Sequence, residues 1–84
     1  MVKMLTFEIL SDDRLEIHGS LDGLKLLTKT IEKLILHTKD GSFDHEHLMS
    51  ETWGGNELSS IQKNMDSELI NHVKIYCWKN DNSQ

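Results

Sequence analysis

Apolar and polar positions alternate with period two over residues 4–10. Leu5, Phe7 and Ile9 fall on one side, and Met4, Thr6 and Glu8 on the other. That period marks a strand with one buried face. Ser11-Asp12-Asp13 is a short polar break suited to a tight turn. Residues 14–18 then alternate again, with Leu15 and Ile17 inward. Two such runs across so short a turn predict a β-hairpin. After Gly19 the period changes. Ser20 is a good helix N-cap, and Asp22 falls in the first turn, where the helix dipole favours an anion. Leu24, Leu27, Ile31, Leu34 and Ile35 recur at helical spacing, while Lys25, Lys29, Glu32 and Lys33 take other faces. Lys39 and Gly41 supply a terminal cation and a left-handed stop. An amphipathic helix is expected over 21–38, with Lys25, Lys29 and Lys33 as its solvated edge.

Residues 44–49 read as a third, short strand and residues 71–78 as a fourth. In the fourth, Val73, Ile75 and Cys77 share one parity, and His72, Lys74, Tyr76 and Trp78 the other. The connection over 50–70 is long for a structureless loop in so small a domain. Either Asp66–Ile70 forms a helical turn or the segment is a functional loop, with Trp53, Leu58, Ile61, Met65 and Leu69 as apolar anchors. The expected fold class is α+β, in the order ββαββ. It is a four-stranded, mainly antiparallel sheet of order 2-1-3-4 with one helix packed on one face and the other face open. A mixed sheet with the third strand beside the second is the alternative. One domain should span 1–78, followed by a polar tail over 79–84.

Composition narrows the function classes. A chain of 84 residues supports one core. Fourteen acidic side chains against nine basic ones, a net charge of −5, would repel a nucleic-acid backbone. Cys77 has no partner for an internal disulfide, which suits a reducing compartment. No apolar run approaches the roughly 20 residues of a membrane span, and Glu8 interrupts the N-terminal run before a secretory signal can form. A cytoplasmic protein is expected, with no membrane partner.

The histidines are the first candidates for chemistry. His45 and His47 lie two apart on a strand and share a face, and His72 and His18 fall on the outward parity of their own strands. His18 would lie two strands from His45, so His45, His47 and His72 are the one trio that could assemble a metal site. Otherwise the trio belongs to a polar, partner-contacting face, and no metal or other cofactor is assigned. Cys77 shares the core parity, where a thiol is inert. Gly54-Gly55 lacks the lysine of a phosphate loop and reads as a sharp turn beside Trp53. Trp53 itself is either a core plug or a partner anchor. Asp12-Asp13 is explained by turn chemistry, and nothing pairs Glu46 with Glu57 as an acid and a base. No enzymatic activity is expected.

His47-Leu48-Met49, Trp53-Gly54-Gly55-Asn56-Glu57-Leu58, Asn71-His72-Val73-Lys74-Ile75-Tyr76 and Trp78, with Leu15-Glu16-Ile17-His18-Gly19 before the helix, together resemble the Immunity protein 32 family of bacterial polymorphic toxin systems. The likeness covers about residues 7–78. Glu46 and Cys77 depart from it, standing where an apolar and a polar residue are usual. The resemblance implies a small cytoplasmic antitoxin that binds a cognate toxin protein and blocks it by occlusion, without covalent chemistry. The matching positions are His47, Trp53, Gly54, Gly55, Glu57, Asn71, His72, Lys74, Tyr76 and Trp78. Of these, Gly54, Gly55 and Asn71 read as structural loop positions. His45, His47, Trp53, Glu57, His72, Lys74, Tyr76 and Trp78 are the expected partner-binding residues, because the open sheet face mixes aromatic and polar groups as interfaces do. The acidic balance favours a basic partner. Pairing two such faces in a homodimer is a further expectation.

Overall fold

The hairpin forms as its alternation requires. In the computed structural model, which describes residues 3–79, β1 (Leu5–Ile9) and β2 (Leu15–Gly19) pair antiparallel, with Phe7 opposite Ile17. Asp13 takes a positive φ of 70° in the turn, and the Asp12 carboxylate accepts from the Arg14 N–H at 3.1 Å. Helix α1 (Leu21–His37) follows at once. One oxygen starts it: Ser20 Oγ accepts from Gly23 N at 3.1 Å and from Met4 N at 2.9 Å, which caps the helix and ties it to the first strand. The helix ends at His37, where the Thr38 hydroxyl donates to Leu34 O at 2.6 Å. Gly41, expected as the helix stop, lies instead in the turn that leads to β3 (Phe43–Met49).

The single four-stranded sheet of order 2-1-3-4 does not form. The strands make two sheets, β2-β1-β4 and β3-β5, with β4 at Glu68–Ile70 and β5 at His72–Trp78. Glu68–Ile70 is therefore neither a helical turn nor a loop. It takes the edge of β1 that was expected for the third strand, setting Phe7 opposite Ile70 and Ile9 opposite Glu68. Beyond the break at Asn71 the same chain path continues as β5 and pairs with β3 along seven residues. Leu58-Ser59 closes the seam between the sheets: Leu58 N donates to Met49 O at 3.1 Å, and Ser59 N to Leu5 O at 2.8 Å. The class is thus α+β with antiparallel sheets and one helix.

The core is Leu5, Phe7, Leu48 and Leu58, with Leu27, Ile70, Val73 and Ile75 packed against it. Helix α1 lies mainly over β3 and β5. Leu34 is buried there, but Leu24, Ile31 and Ile35 stay largely exposed. The far face of β1, expected to be open, is closed. Thr6 and Glu8 have no exposed surface, because the segment 59–67 folds over them. The Glu8 carboxylate accepts from Lys63 N, Asn64 N and Ser67 Oγ, each at 2.9 Å, and from Thr6 Oγ1 at 2.6 Å. Burial pushes its pKa up, but these four donors outweigh that and hold it at about 2. The connection is thus held by a buried carboxylate at 63–67 and by one of its apolar anchors, Leu58. Among those anchors, Leu58 is buried while Trp53, Ile61 and Met65 are exposed. Lys79, assigned to the tail, pairs its backbone with Ser42 and Gly41; the rest of the expected tail, 80–84, lies outside the described residues.

Candidate binding face

Strand pairing decides what β3 and β5 present to solvent. Their register sets Phe43 opposite Trp78, His45 opposite Tyr76, His47 opposite Lys74 and Met49 opposite His72. Directly opposed residues of an antiparallel pair share a face, so these eight side chains stand on one side. Leu48, Val73, Ile75 and Cys77 take the other, toward the helix. Glu46, the departure from the family pattern in this strand, lies opposite Ile75 on that inward side and is half-buried.

The outward rings form one continuous strip. Phe43 stacks on Trp78 with centroids 4.6 Å apart, Tyr76 lies 6.0 Å from Trp78, and His45 stacks on Tyr76 at 5.2 Å. His47 is 4.8 Å from His45 and 5.0 Å from His72, and Trp53 closes the row 6.2 Å from His72. Lys74 Nζ sits 5.3 Å above the Tyr76 ring, a cation–π distance. Tyr76 is 42% exposed, Trp78 57% and Trp53 58%. Trp53 is therefore no core plug. Phe43 was missed in the sequence, although it continues the alternation of His45 and His47 one step back and would have been found by extending that strand by one residue.

The three histidines do come together, but as a chain. His47 Nε2 is 3.1 Å from His45 Nε2, and His47 Nδ1 is 2.8 Å from His72 Nε2. Both nitrogens of the middle ring point at different neighbours, so the set does not converge on one point as metal ligands must. Among the described residues no group of His, Cys, Asp or Glu has metal-holding geometry. Partial desolvation, then the neighbouring His45, His72 and Lys74, hold the His47 pKa below the ordinary histidine value. A neutral His47 donates from one nitrogen and accepts at the other, which satisfies the chain from end to end.

The loop that carries Trp53 is set by its glycines. A short 3-10 turn, Glu51–Trp53, ends on Gly54 at φ 89°. A Cβ on Gly55 would stand 2.5 Å from both Met49 Cβ and Met49 O, so only glycine lets the loop lie against β3. Glu57, expected on the partner face, instead turns inward and accepts from Met49 N at 3.0 Å. Asn71 accepts from the Ser50 hydroxyl at 2.7 Å and, through its carbonyl, from Ser50 N at 3.0 Å. His18 lies in the other sheet, hydrogen-bonded to Glu16 at 3.0 Å. Cys77 is half-buried on the inward side. Two surface depressions of about 280 and 350 Å³ lie off the strip, one beside Asn56 and Glu57 and one between Ile9 and Glu68. The strip itself is an open surface and not a pocket.

A comparison with protein-family models matches residues 14–73 to Immunity protein 32. No curated protein and no solved structure matches the chain. No helix among the described residues is long and apolar enough to cross a membrane.

Proposed function

The chain belongs to the Immunity protein 32 family, and from that premise we propose that it neutralises a cognate bacterial toxin domain by covering the toxin's active surface with its β3–β5 face. The observation that carries this reading is the uncovered strip of rings from Trp78 to Trp53. Aromatic side chains with polar tips supply large contact area at low entropic cost, and such groups dominate the binding energy of protein interfaces. His45, His47, His72, Lys74, Tyr76, Trp78 and Trp53 are the contact residues, joined by Phe43. Glu57, Gly54, Gly55 and Asn71 act one step back, fixing the Trp53 loop against the end of β3. Inhibition is by occlusion in the cytoplasm of the producing cell, with no catalysis and no cofactor. A net charge of −5 speeds encounter with a basic toxin, as a nuclease domain would be, while the strip makes the contact.

Co-expression tests this. Cells that carry the toxin domain encoded beside this gene should survive when the wild-type chain is present. Tyr76→Ala and Trp78→Ala should each weaken the complex by about 2 kcal/mol, roughly thirtyfold in Kd, with the melting temperature little changed because neither ring belongs to the core. If each neighbouring toxin domain still kills in the presence of wild-type protein, the proposal fails.

A further inference from the structure

The outer edge of β2 is open, and its pattern is self-complementary. Strand β2 is outermost in the order β2-β1-β4. The hairpin ladder is flanked by Leu10 N donating to Arg14 O at 2.9 Å and by Ser20 N donating to Met4 O at 2.8 Å. Antiparallel ladders alternate, so residues 14, 16, 18 and 20 bond back to β1. The N–H and C=O groups of Leu15, Ile17 and Gly19 point away from it, and no strand among the described residues pairs with them. Edges of this kind are normally guarded by lysine, proline, a bulge or an inward-facing charge. Strand β3 carries Asp44 and Glu46 on its inward parity; β2 carries no lysine, proline, bulge or inward-facing charge, and its one acidic side chain, Glu16, lies on the outward parity beside Arg14. Its inward residues Leu15 and Ile17 are 52% and 47% exposed, beside Ile9 at 43%. Leu24 borders the same end, since a Cβ on Gly19 would meet Leu24 Cδ2 at 2.8 Å. Leu24 is itself 43% exposed.

We propose that this edge joins two copies of the chain, β2 to β2 and antiparallel, about a two-fold axis at Ile17. Charge selects the register. Centring on Glu16 or on His18 would set each against its own mate, and centring on Leu15 would run the ladder into the Asp13 turn. Centring on Ile17 overlaps the whole strand and sets Glu16 opposite the second copy's His18 twice, the same acceptor and imidazole that already meet at 3.0 Å within one copy. It also makes Leu15–Gly19, Ile17–Ile17 and Gly19–Leu15 the hydrogen-bonded pairs, which are the residues with free backbone groups. The result is a six-stranded sheet, with Leu24 of each copy bordering its apolar face. Such a pairing is isologous and closes on itself. It uses the other sheet from the toxin-facing strip, so it stands or falls independently of that reading.

Sedimentation velocity across a wide concentration range tests it, with a disulfide-trapping variant as the second measurement. Wild-type protein should sediment at twice the 9.7 kDa chain mass, Ile17→Lys at the single-chain mass, and Tyr76→Ala at the doubled mass. In a Cys77→Ser background, Ile17→Cys should cross-link to its own mate on mild oxidation, because opposed Cα atoms in a hydrogen-bonded pair stand about 5.5 Å apart, within disulfide reach. Leu15→Cys should not cross-link to itself, since its opposite number is Gly19. The trapping result decides the matter even if Ile17→Lys fails to fold. A wild-type monomer at all concentrations, a dimer that survives Ile17→Lys, a dimer lost in Tyr76→Ala, or self-cross-linking of Leu15→Cys in preference to Ile17→Cys would overturn the proposal.

Discussion

Glu8 shows how one side chain can organise a segment that lies more than fifty positions further along the chain. Its alternation with Leu5 and Phe7 was legible, and so was its outward direction, but the direction alone gives no sign that outward means covered. The cover consists of backbone N–H groups from Lys63 and Asn64, which a residue pattern cannot display. Removing the carboxylate orphans those donors. Glu8→Ala should therefore cost about 2–4 kcal/mol, read as a fall in melting temperature. The pH dependence has a definite sign. The folded pKa of about 2 lies below the ordinary glutamate value of 4.5, so this contribution is complete above pH 4.5 and is lost as pH falls toward 2. Denaturant titrations at a series of acid pH values should show that loss in wild type and not in Glu8→Ala. His47 shows a lowered value of different origin, desolvation and then cationic neighbours. Its imidazole should titrate below the ordinary histidine value by NMR. The linked stability is present above that ordinary value and is lost as pH falls through the lowered one. Replacing Lys74 by Met should move the His47 midpoint upward.

At the scale of elements, local chemistry was the readable part. Hairpin, capped helix and the parity of β5 all follow from spacing and cap residues, because each is decided within a few positions along the chain. Of the pairings between distant strands, the third strand beside the last was readable and does form; the third strand beside the first was expected and does not. The segment Glu68–Ile70 is only three residues long and has no alternation of its own, yet it displaces β3 from the edge of β1. The helix carries a second lesson. Its apolar stripe is wider than the sheet beneath it, so periodicity marked Leu24, Ile31 and Ile35 as core when only part of the stripe is covered. Gly23 gives a sharp prediction here. Glycine within a helix normally costs about 1 kcal/mol relative to alanine, so alanine would ordinarily stabilise. At this position a Cβ would stand 1.9 Å from Met4 O. Gly23→Ala should instead destabilise the fold by several kcal/mol, or move α1 away from β1, as a thermal melt will show.

The whole molecule has more surface than its length requires. Its radius of gyration is 14.3 Å, against about 12 Å for a compact chain of this size. That excess reflects two sheets joined through a seam at Leu58-Ser59, each with something left uncovered. On β3–β5 it is the ring strip; on β2 it is a free edge with an apolar flank. The strip was legible almost completely in the sequence, because parity alone places His45, His47, His72, Lys74, Tyr76 and Trp78 together, and only Phe43 escaped. The edge position of β2 was legible too, since the expected order 2-1-3-4 already places the second strand outermost; the exposure of its inward residues Leu15 and Ile17 was not, because it depends on how far the helix reaches over that strand. The most direct test of the toxin-binding account is an NMR footprint, comparing the spectrum of the isotope-labelled chain with and without the neighbouring toxin domain. Shift changes and line broadening should concentrate on Phe43, His45, His47, Trp53, His72, Tyr76 and Trp78. A footprint confined to α1 or to the 59–67 segment, with the strip unchanged, would contradict it.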